Sequence, residues 1–142
     1  MVEPKFPRNA HLRTRSDHAT ELTEDYVEAI AEISGNEGVC RVRDLAKRFG
    51  VSHVTVNRAV ARMMRDGFVD SAPYAPVTLT PKGRELADIA RERHQIVFRF
   101  LQALGVSDRN AAIDSEGIEH HVSDETLGLM KQFTDSAGDS AE

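Results

Sequence analysis

Residues Arg43–Val69, RDLAKRFGVSHVTVNRAVARMMRDGFV, constrain the fold more than any other stretch. Val42, Leu45, Ala46 and Phe49 recur at helical spacing and predict a helix over about Val42–Phe49. Gly50 can take the positive φ of a tight turn, Val51 is apolar and suited to the core, and Ser52 is a good N-cap. A third helix is expected over about His53–Asp66, burying Val56, Ala59, Val60 and Met63 or Met64, with Gly67 as its stop. Phe68–Asp70 and Val77–Leu79 flank a turn at Pro73–Pro76 and read as a short β-hairpin. Two helices joined by a glycine turn and followed by a small hairpin make a winged helix-turn-helix. In that motif the later helix enters the DNA major groove and the hairpin lies beside the backbone.

The flanking sequence is helical. Thr20 or Thr23 can cap a helix to about Ser34 whose apolar line is Leu22, Tyr26, Ala29, Ile30 and Ile33, with Gly35, Asn36 and Gly38 ending it. Thr80 and Pro81 open a long helix to about Leu104, burying Leu86, Ile89 or Ala90, Ile96 or Val97, Phe100 or Leu101, and Leu104. A short helix at about Asp108–Ile118 follows. Ser123 then starts a last helix, with Leu127, Met130 and Phe133 on one face. The expected class is therefore mainly α, an N-terminal winged helix-turn-helix with a C-terminal all-helical dimerisation domain. The boundaries expected are a flexible basic arm at 1–19, the DNA-binding domain at 20–82, the metal-binding and dimerisation domain at 83–136, and a flexible tail at 137–142.

Charge is segregated along the chain. Residues 41–84 hold nine Lys or Arg against three acids, whereas residues 85–142 hold five against twelve. A basic block within a chain of net charge −5 can be the footprint of a nucleic-acid site. The acidic half suits a cation, or a second copy met through apolar faces. No apolar run approaches the roughly 18 residues of a membrane span, and the N-terminus lacks the apolar core of a secretory signal. Cys40, the single cysteine, excludes an intramolecular disulfide and reads as an incidental residue of a polar turn. A cytoplasmic protein is expected, with no membrane partner and no small organic substrate.

Ser115–Val122, SEGIEHHV, concentrates Glu116, Glu119, His120 and His121. On a continuous helix Glu116, Glu119 and His120 would share a face. Two carboxylates and an imidazole suit divalent manganese, iron or zinc. A solvated acidic helix end is the bland alternative. Asp25, Glu28 and His94 are further donors on two other helices. Four carboxylates brought together would repel unless a cation joined them.

From Thr20 to Phe133 the chain resembles the manganese transport regulators of the diphtheria toxin repressor family. The resemblance is carried by EDYVEAI (Glu24–Ile30), the helix-turn-helix, VTLTPKG (Val77–Gly83), ERHQIV (Glu92–Val97), LGV (Leu104–Val106) and DSEGIEHHVS (Asp114–Ser123). It implies that Asp25, Glu28, His94, Glu116, Glu119 and His120 are metal ligands, taking one or two Mn2+ per subunit. It also implies a homodimeric, non-enzymatic repressor of manganese uptake genes that binds double-stranded operator DNA. Iron-responsive members place a sulfur ligand where this chain has Glu119 and Met where it has Asp25. The oxygen and nitrogen set favours manganese, with Fe2+ or Zn2+ the alternative cofactors. The SH3-like third domain of those members is not expected here. The wing tip is a further departure, since Tyr74-Ala75-Pro76 stands where many relatives have a basic residue and Gly.

For DNA contact, Ser52, His53, Thr55, Asn57, Arg58 and Arg62 occupy outward or N-terminal positions of the third helix, and Arg43, Lys47 and Arg48 those of the helix before it. Hydroxyl and amide groups can read base edges, while Arg and Lys can take guanine or phosphate. A solvated helix surface would carry the same charges.

Overall fold

The computed structural model describes residues 10–140. Six helices and one two-stranded hairpin follow in order: α1 Ala10–Glu37, α2 Val42–Phe49, α3 His53–Arg65, β1 Val69–Asp70, β2 Thr78–Leu79, α4 Pro81–Ala103, α5 Asp108–Ile118 and α6 Asp124–Ser140. The strands are antiparallel, pairing Val69 with Leu79 and Asp70 with Thr78.

The turn chemistry behaves as the sequence predicts, except that Val51 is exposed instead of entering the core. Gly50 sits at φ 63°, ψ 37°, and its N–H reaches the Ala46 carbonyl. The Asp44 carboxylate accepts the Arg41 N–H at 2.9 Å at the start of α2. Ser52 Oγ accepts the Thr55 N–H at 3.2 Å and so caps α3. Thr80 Oγ1 caps α4 by accepting the Gly83 N–H at 3.1 Å, and donates to the Gly67 carbonyl at 2.6 Å. That one hydroxyl ties the start of α4 to the end of α3.

One apolar core joins α1, α2, α3, the hairpin and the first turns of α4. Val27, Ile30, Leu45, Val56, Met63, Val69 and Val77 are its most buried members, with Ala87 closing it from α4. Helix α4 packs along α1 on one side and against α5 and α6 on the other. Because α1 belongs to the DNA-reading core and also lies on α4, it is the mechanical link between the two halves.

Several expectations are corrected. Helix α1 begins at Ala10, ten residues before Thr20, and runs through Gly35 and Asn36 to Glu37. No Pro or Gly lies between Pro7 and Gly35, so nothing local stops the helix. The expected arm is thus helical from Ala10, and residues 1–9 lie outside the described residues. Helix α6 likewise continues through Gly138 to Ser140, so the expected tail is helical as far as that residue. Leu22 is exposed rather than buried, because α1 turns Thr23, Tyr26 and Val27 inward. Cys40 is fully buried in the core, its carbonyl accepting the Val77 N–H at 2.8 Å. It is a packing residue at the wing's base, and burial pushes its thiol up to about 11. On α4, Ala90 and Val97 face inward, while Ile89 and Leu104 face out. With Ile113, Leu129 and Phe133 they leave the C-terminal half with several exposed apolar side chains.

Candidate metal centre

Helix α5 ends at Ile118, and Glu119 is its C-cap. Glu119 keeps right-handed helical backbone and its N–H reaches the Ser115 carbonyl, so it shares a face with Glu116 as expected. His120 follows in the turn, and its side chain converges on Glu119. Glu119 points inward with its side chain 2% exposed, and its two oxygens face different partners. Oε2 lies 3.3 Å from His94 Nδ1, and Oε1 lies 3.3 Å from His120 Nε2. His120 Nε2 also lies 3.0 Å from Asp25 Oδ1, and His94 Nδ1 lies 3.9 Å from Glu116 Oε1. Donor atoms of Asp25, Glu116 and Glu119 can all be chosen within 4.8 Å of one another. The electrostatics draw Glu28 into the same cluster. Burial first, then the charges of Glu119, Glu116 and Asp25, raise its carboxyl to about 7 against the opposing pull of His94. All six residues singled out in the sequence are thus gathered where α1, α4 and the α5–α6 turn meet.

The site is costly as it stands. Both Glu119 carboxylate oxygens and His120 Nε2 are buried without a hydrogen-bond partner of acceptable geometry. Such atoms ordinarily cost about 1–3 kcal/mol each, and more when charged. Burial also holds the Glu119 carboxyl above its usual range, although His94 and His120 pull it down. The His120 imidazole is desolvated, which disfavours its charge, but the facing Asp25 and Glu24 carboxylates and the charge of Glu119 outweigh this and raise it to about 10. For His94 the facing Glu119 carboxylate dominates, raising it against the effect of burial. Buried, converging and unsatisfied oxygen and nitrogen donors are what a divalent cation requires, so the residues present fit one.

Three supporting residues had escaped the sequence. Glu24 Oε2 lies 2.6 Å from His120 Nδ1. Arg93 straps the α5–α6 turn by donating to the carbonyls of Glu119 at 3.1 Å and Val122 at 2.7 Å, and to Asp124 Oδ1 at 3.4 Å. Glu21 Oε2 lies 3.2 Å from Nε2 of His121, which remains half-exposed. Glu24 and Arg93 each adjoin a candidate donor, Asp25 and His94, and neighbours one apart on a helix point about 100° away from each other. Spacing alone therefore gave no reason to group them with the donors.

The second candidate surface is carried by α2 and α3. Ser52, His53, Thr55, Asn57 and Arg58 on α3, and Arg43 and Lys47 on α2, are exposed, and Arg62 is half-buried. Arg48 is engaged with Glu32 of α1 at 3.0 Å, a contact within the fold that competes with its expected use on phosphate.

A winged helix-turn-helix joined through one shared helix to a cation-ready helical domain defines a class, the metal-dependent DNA-binding regulators. The chain belongs to the iron-dependent repressor family. Residues 18–77 match the model described as iron dependent repressor, N-terminal DNA binding domain, and residues 80–138 the metal binding and dimerisation domain. It is 47% identical over 130 residues to the transcriptional regulator MntR of Salmonella typhimurium, covering 92% of this chain and 83% of that protein. The HTH-type transcriptional regulator MntR of Lysinibacillus sphaericus is 36% identical over 73% of this chain and 75% of its own length. Among solved structures it is similar to a manganese-dependent transcriptional repressor in complex with manganese (TM-score 0.70, 28% identity), over 80% of this chain and 52% of that one. The manganese regulator SloR matches comparably, with a TM-score of 0.70, 26% identity and coverage of 80% and 53%. The chain thus spans about half the length of those two proteins. Family membership makes it a metal-dependent transcriptional repressor and sets it apart from enzymes. No described helix is long and apolar enough to cross a membrane.

Proposed function

We propose that this protein is a manganese-responsive repressor of manganese uptake genes, acting as a homodimer on double-stranded operator DNA in the cytoplasm. The observation that carries the reading is the donor set around Glu119. It is built only from carboxylates and imidazoles, contains no sulfur, and has at its centre both Glu119 oxygens and His120 Nε2 buried without a hydrogen-bond partner. A site of this kind suits a hard divalent cation, while thiolate or thioether ligands would favour softer metals. Asp25, Glu28, His94, Glu116, Glu119 and His120 are the proposed ligands, for one ion or two.

A bound cation supplies the positive charge that lets these carboxylates and imidazoles sit together. Asp25 and Glu28 ride on α1, and so move with the DNA-reading core. His94, Glu116, Glu119 and His120 belong to the helical half. Holding the two groups together fixes α3 relative to the dimer axis. Paired recognition helices must match half-sites one DNA turn apart, about 34 Å, or a multiple of it. Coupling of about 1.4 kcal/mol between the two arrangements yields a tenfold gain in operator affinity. Ser52, His53, Thr55, Asn57, Arg58 and Arg62 are the proposed base and backbone contacts of α3, with Arg43 and Lys47 on phosphate. The exposed apolar side chains of the C-terminal half are the proposed dimer surface.

Glu24 has a defined part in this scheme. By accepting from Nδ1 it leaves Nε2 of His120 to face the site, and second-layer partners of this type typically carry 10–100-fold of metal affinity. Glu24→Gln is therefore expected to weaken manganese binding by roughly tenfold or more, read by isothermal calorimetry, with circular dichroism unchanged. Unaltered affinity would remove Glu24 from the scheme.

The deciding measurement is operator binding in chelator and then across titrations of Mn2+, Fe2+ and Zn2+. Manganese is expected to restore binding lost in chelator. Full affinity in chelator would overturn metal control. A response to ferrous iron or zinc but not manganese, each at its physiological level, would give the scaffold to the other metal.

A further inference from the structure

The wing carries a residue whose conformation the fold alone does not explain. Tyr74 is the one described non-glycine residue with positive φ, at 64°, and its side chain is fully exposed at 101%. A bulky aromatic in the left-handed region is strained. A ring in solvent gains no packing to offset that strain. Gly at this position would relieve it. The tip is nonetheless held in place, because Arg41 Nη1 donates to the Tyr74 carbonyl at 3.3 Å and the Ala75 N–H reaches the Ala72 carbonyl at 3.0 Å.

Tyr74 borders a cleft of about 590 Å³ between the wing and α3, lined also by Arg41, Arg43, His53 and Asn57, with no acidic residue in its wall. His53 and Asn57 stand at the N-terminal part of the recognition helix. The ring therefore projects beside the surface that faces DNA, within a basic setting that complements phosphate. The neighbouring tip residues Pro73, Ala75 and Pro76 offer no charge and no side-chain hydrogen bond of their own.

We propose that Tyr74 is a DNA contact of the wing, its ring packing on the sugar–phosphate edge of the duplex beside the bases read by α3 and its phenol hydrogen-bonding a phosphate or minor-groove acceptor. This inference rests on the DNA-binding reading above. It replaces the ionic grip of a basic wing with an uncharged one, so the contact adds affinity without adding to the salt dependence.

The test uses the full chain with Mn2+ and a short duplex that the wild-type protein has selected from a random-sequence pool. Affinity is read by fluorescence anisotropy at several salt concentrations. Tyr74→Gly and Tyr74→Asn both accept left-handed backbone, and Asn keeps the tip stiffer than Gly. Both are expected to bind about tenfold more weakly, with an unchanged salt slope and no loss of thermal stability. Binding within twofold of wild type by both variants would overturn the contact while leaving the DNA-binding reading intact. A weak Gly variant beside a fully active Asn variant would also overturn it, since wing stiffness would then explain the loss. If the wild-type protein selects no duplex, the DNA-binding reading itself fails and takes this inference with it.

Discussion

Glu119→Gln is expected to abolish the manganese response while leaving the fold intact. At free metal 100 times Kd, binding to the folded state alone adds about 2.7 kcal/mol. For a chain of this size that raises Tm by roughly 5–10 °C, taking 2–4 °C per kcal/mol. The variant should show a shift near zero by differential scanning fluorimetry, together with the chelator-like level of operator binding. Glutamine keeps the volume of the buried side chain, so no cavity is made. It removes a charge that burial disfavours, and its amide oxygen can accept from one of the imidazoles. The metal-free variant should therefore match or exceed the metal-free wild type in Tm. That combination separates a ligand from a structural residue, whose loss would lower Tm with and without manganese. A wild-type-sized shift in the variant would remove Glu119 from the site.

The gathering of these donors was partly legible from sequence. Helical spacing grouped Asp25 with Glu28, and Glu116 with Glu119 and His120, but spacing carries no information between helices. Joining the three groups required the family resemblance, and the structure brings them together as it implied. The grouping on one helical face holds for Glu116 and Glu119, whose backbone stays helical through the C-cap. Helix α5 stops at Ile118, so His120 arrives from a turn that Arg93 straps in place. No single-chain pattern announces such a strap, since an Arg beside His94 on a long helix reads as solvated charge. Glu24 was hidden in the same way by its neighbour Asp25.

The fold was legible wherever one residue type decides the local geometry. Gly50, Ser52, Thr80 and Pro81 mark turns and caps by their own chemistry, and the structure uses each as expected. Helix ends without such a marker were misplaced. Helix α1 starts at Ala10 rather than at Thr20, and Gly35 and Gly138 lie inside helices because one glycine costs only about 1 kcal/mol there. Exposed apolar residues on α4 and α6 show a different limit. Periodicity finds the apolar positions but does not tell a core face from a face kept for a partner.

Gly83→Ala separates local propensity from tertiary packing most sharply. Gly83 lies in the first turn of α4, where alanine is the better helix former by about 1 kcal/mol. On propensity alone the substitution stabilises. The structure dictates the opposite sign. A Cβ at this position would lie 2.0 Å from the Phe68 carbonyl oxygen, 3.0 Å from its carbon and 3.2 Å from Leu79 Cδ2. The obstacle is backbone, so no side-chain rotation can relieve it. Phe68 O also accepts the Thr80 N–H at 3.0 Å, and the Thr80 hydroxyl and Lys82 ammonium hold the Gly67 and Asp66 carbonyls at 2.6 and 2.7 Å. Moving α4 away from Phe68 would loosen this whole set. Overpacking costs typically 1–3 kcal/mol and a lost hydrogen bond about 1 more, so the net loss should be roughly 1–3 kcal/mol after the gain in propensity. A fall in Tm of roughly 2–12 °C follows. The displacement would act at the joint where α4 leaves the wing, so it should also weaken the coupling between manganese and DNA while sparing the metal ligands themselves. Calorimetry would then show near-normal manganese binding beside a reduced gain in operator affinity. A Tm equal to or above wild type would mean that the close approach of Gly83 to Phe68 is not a constraint of the folded chain.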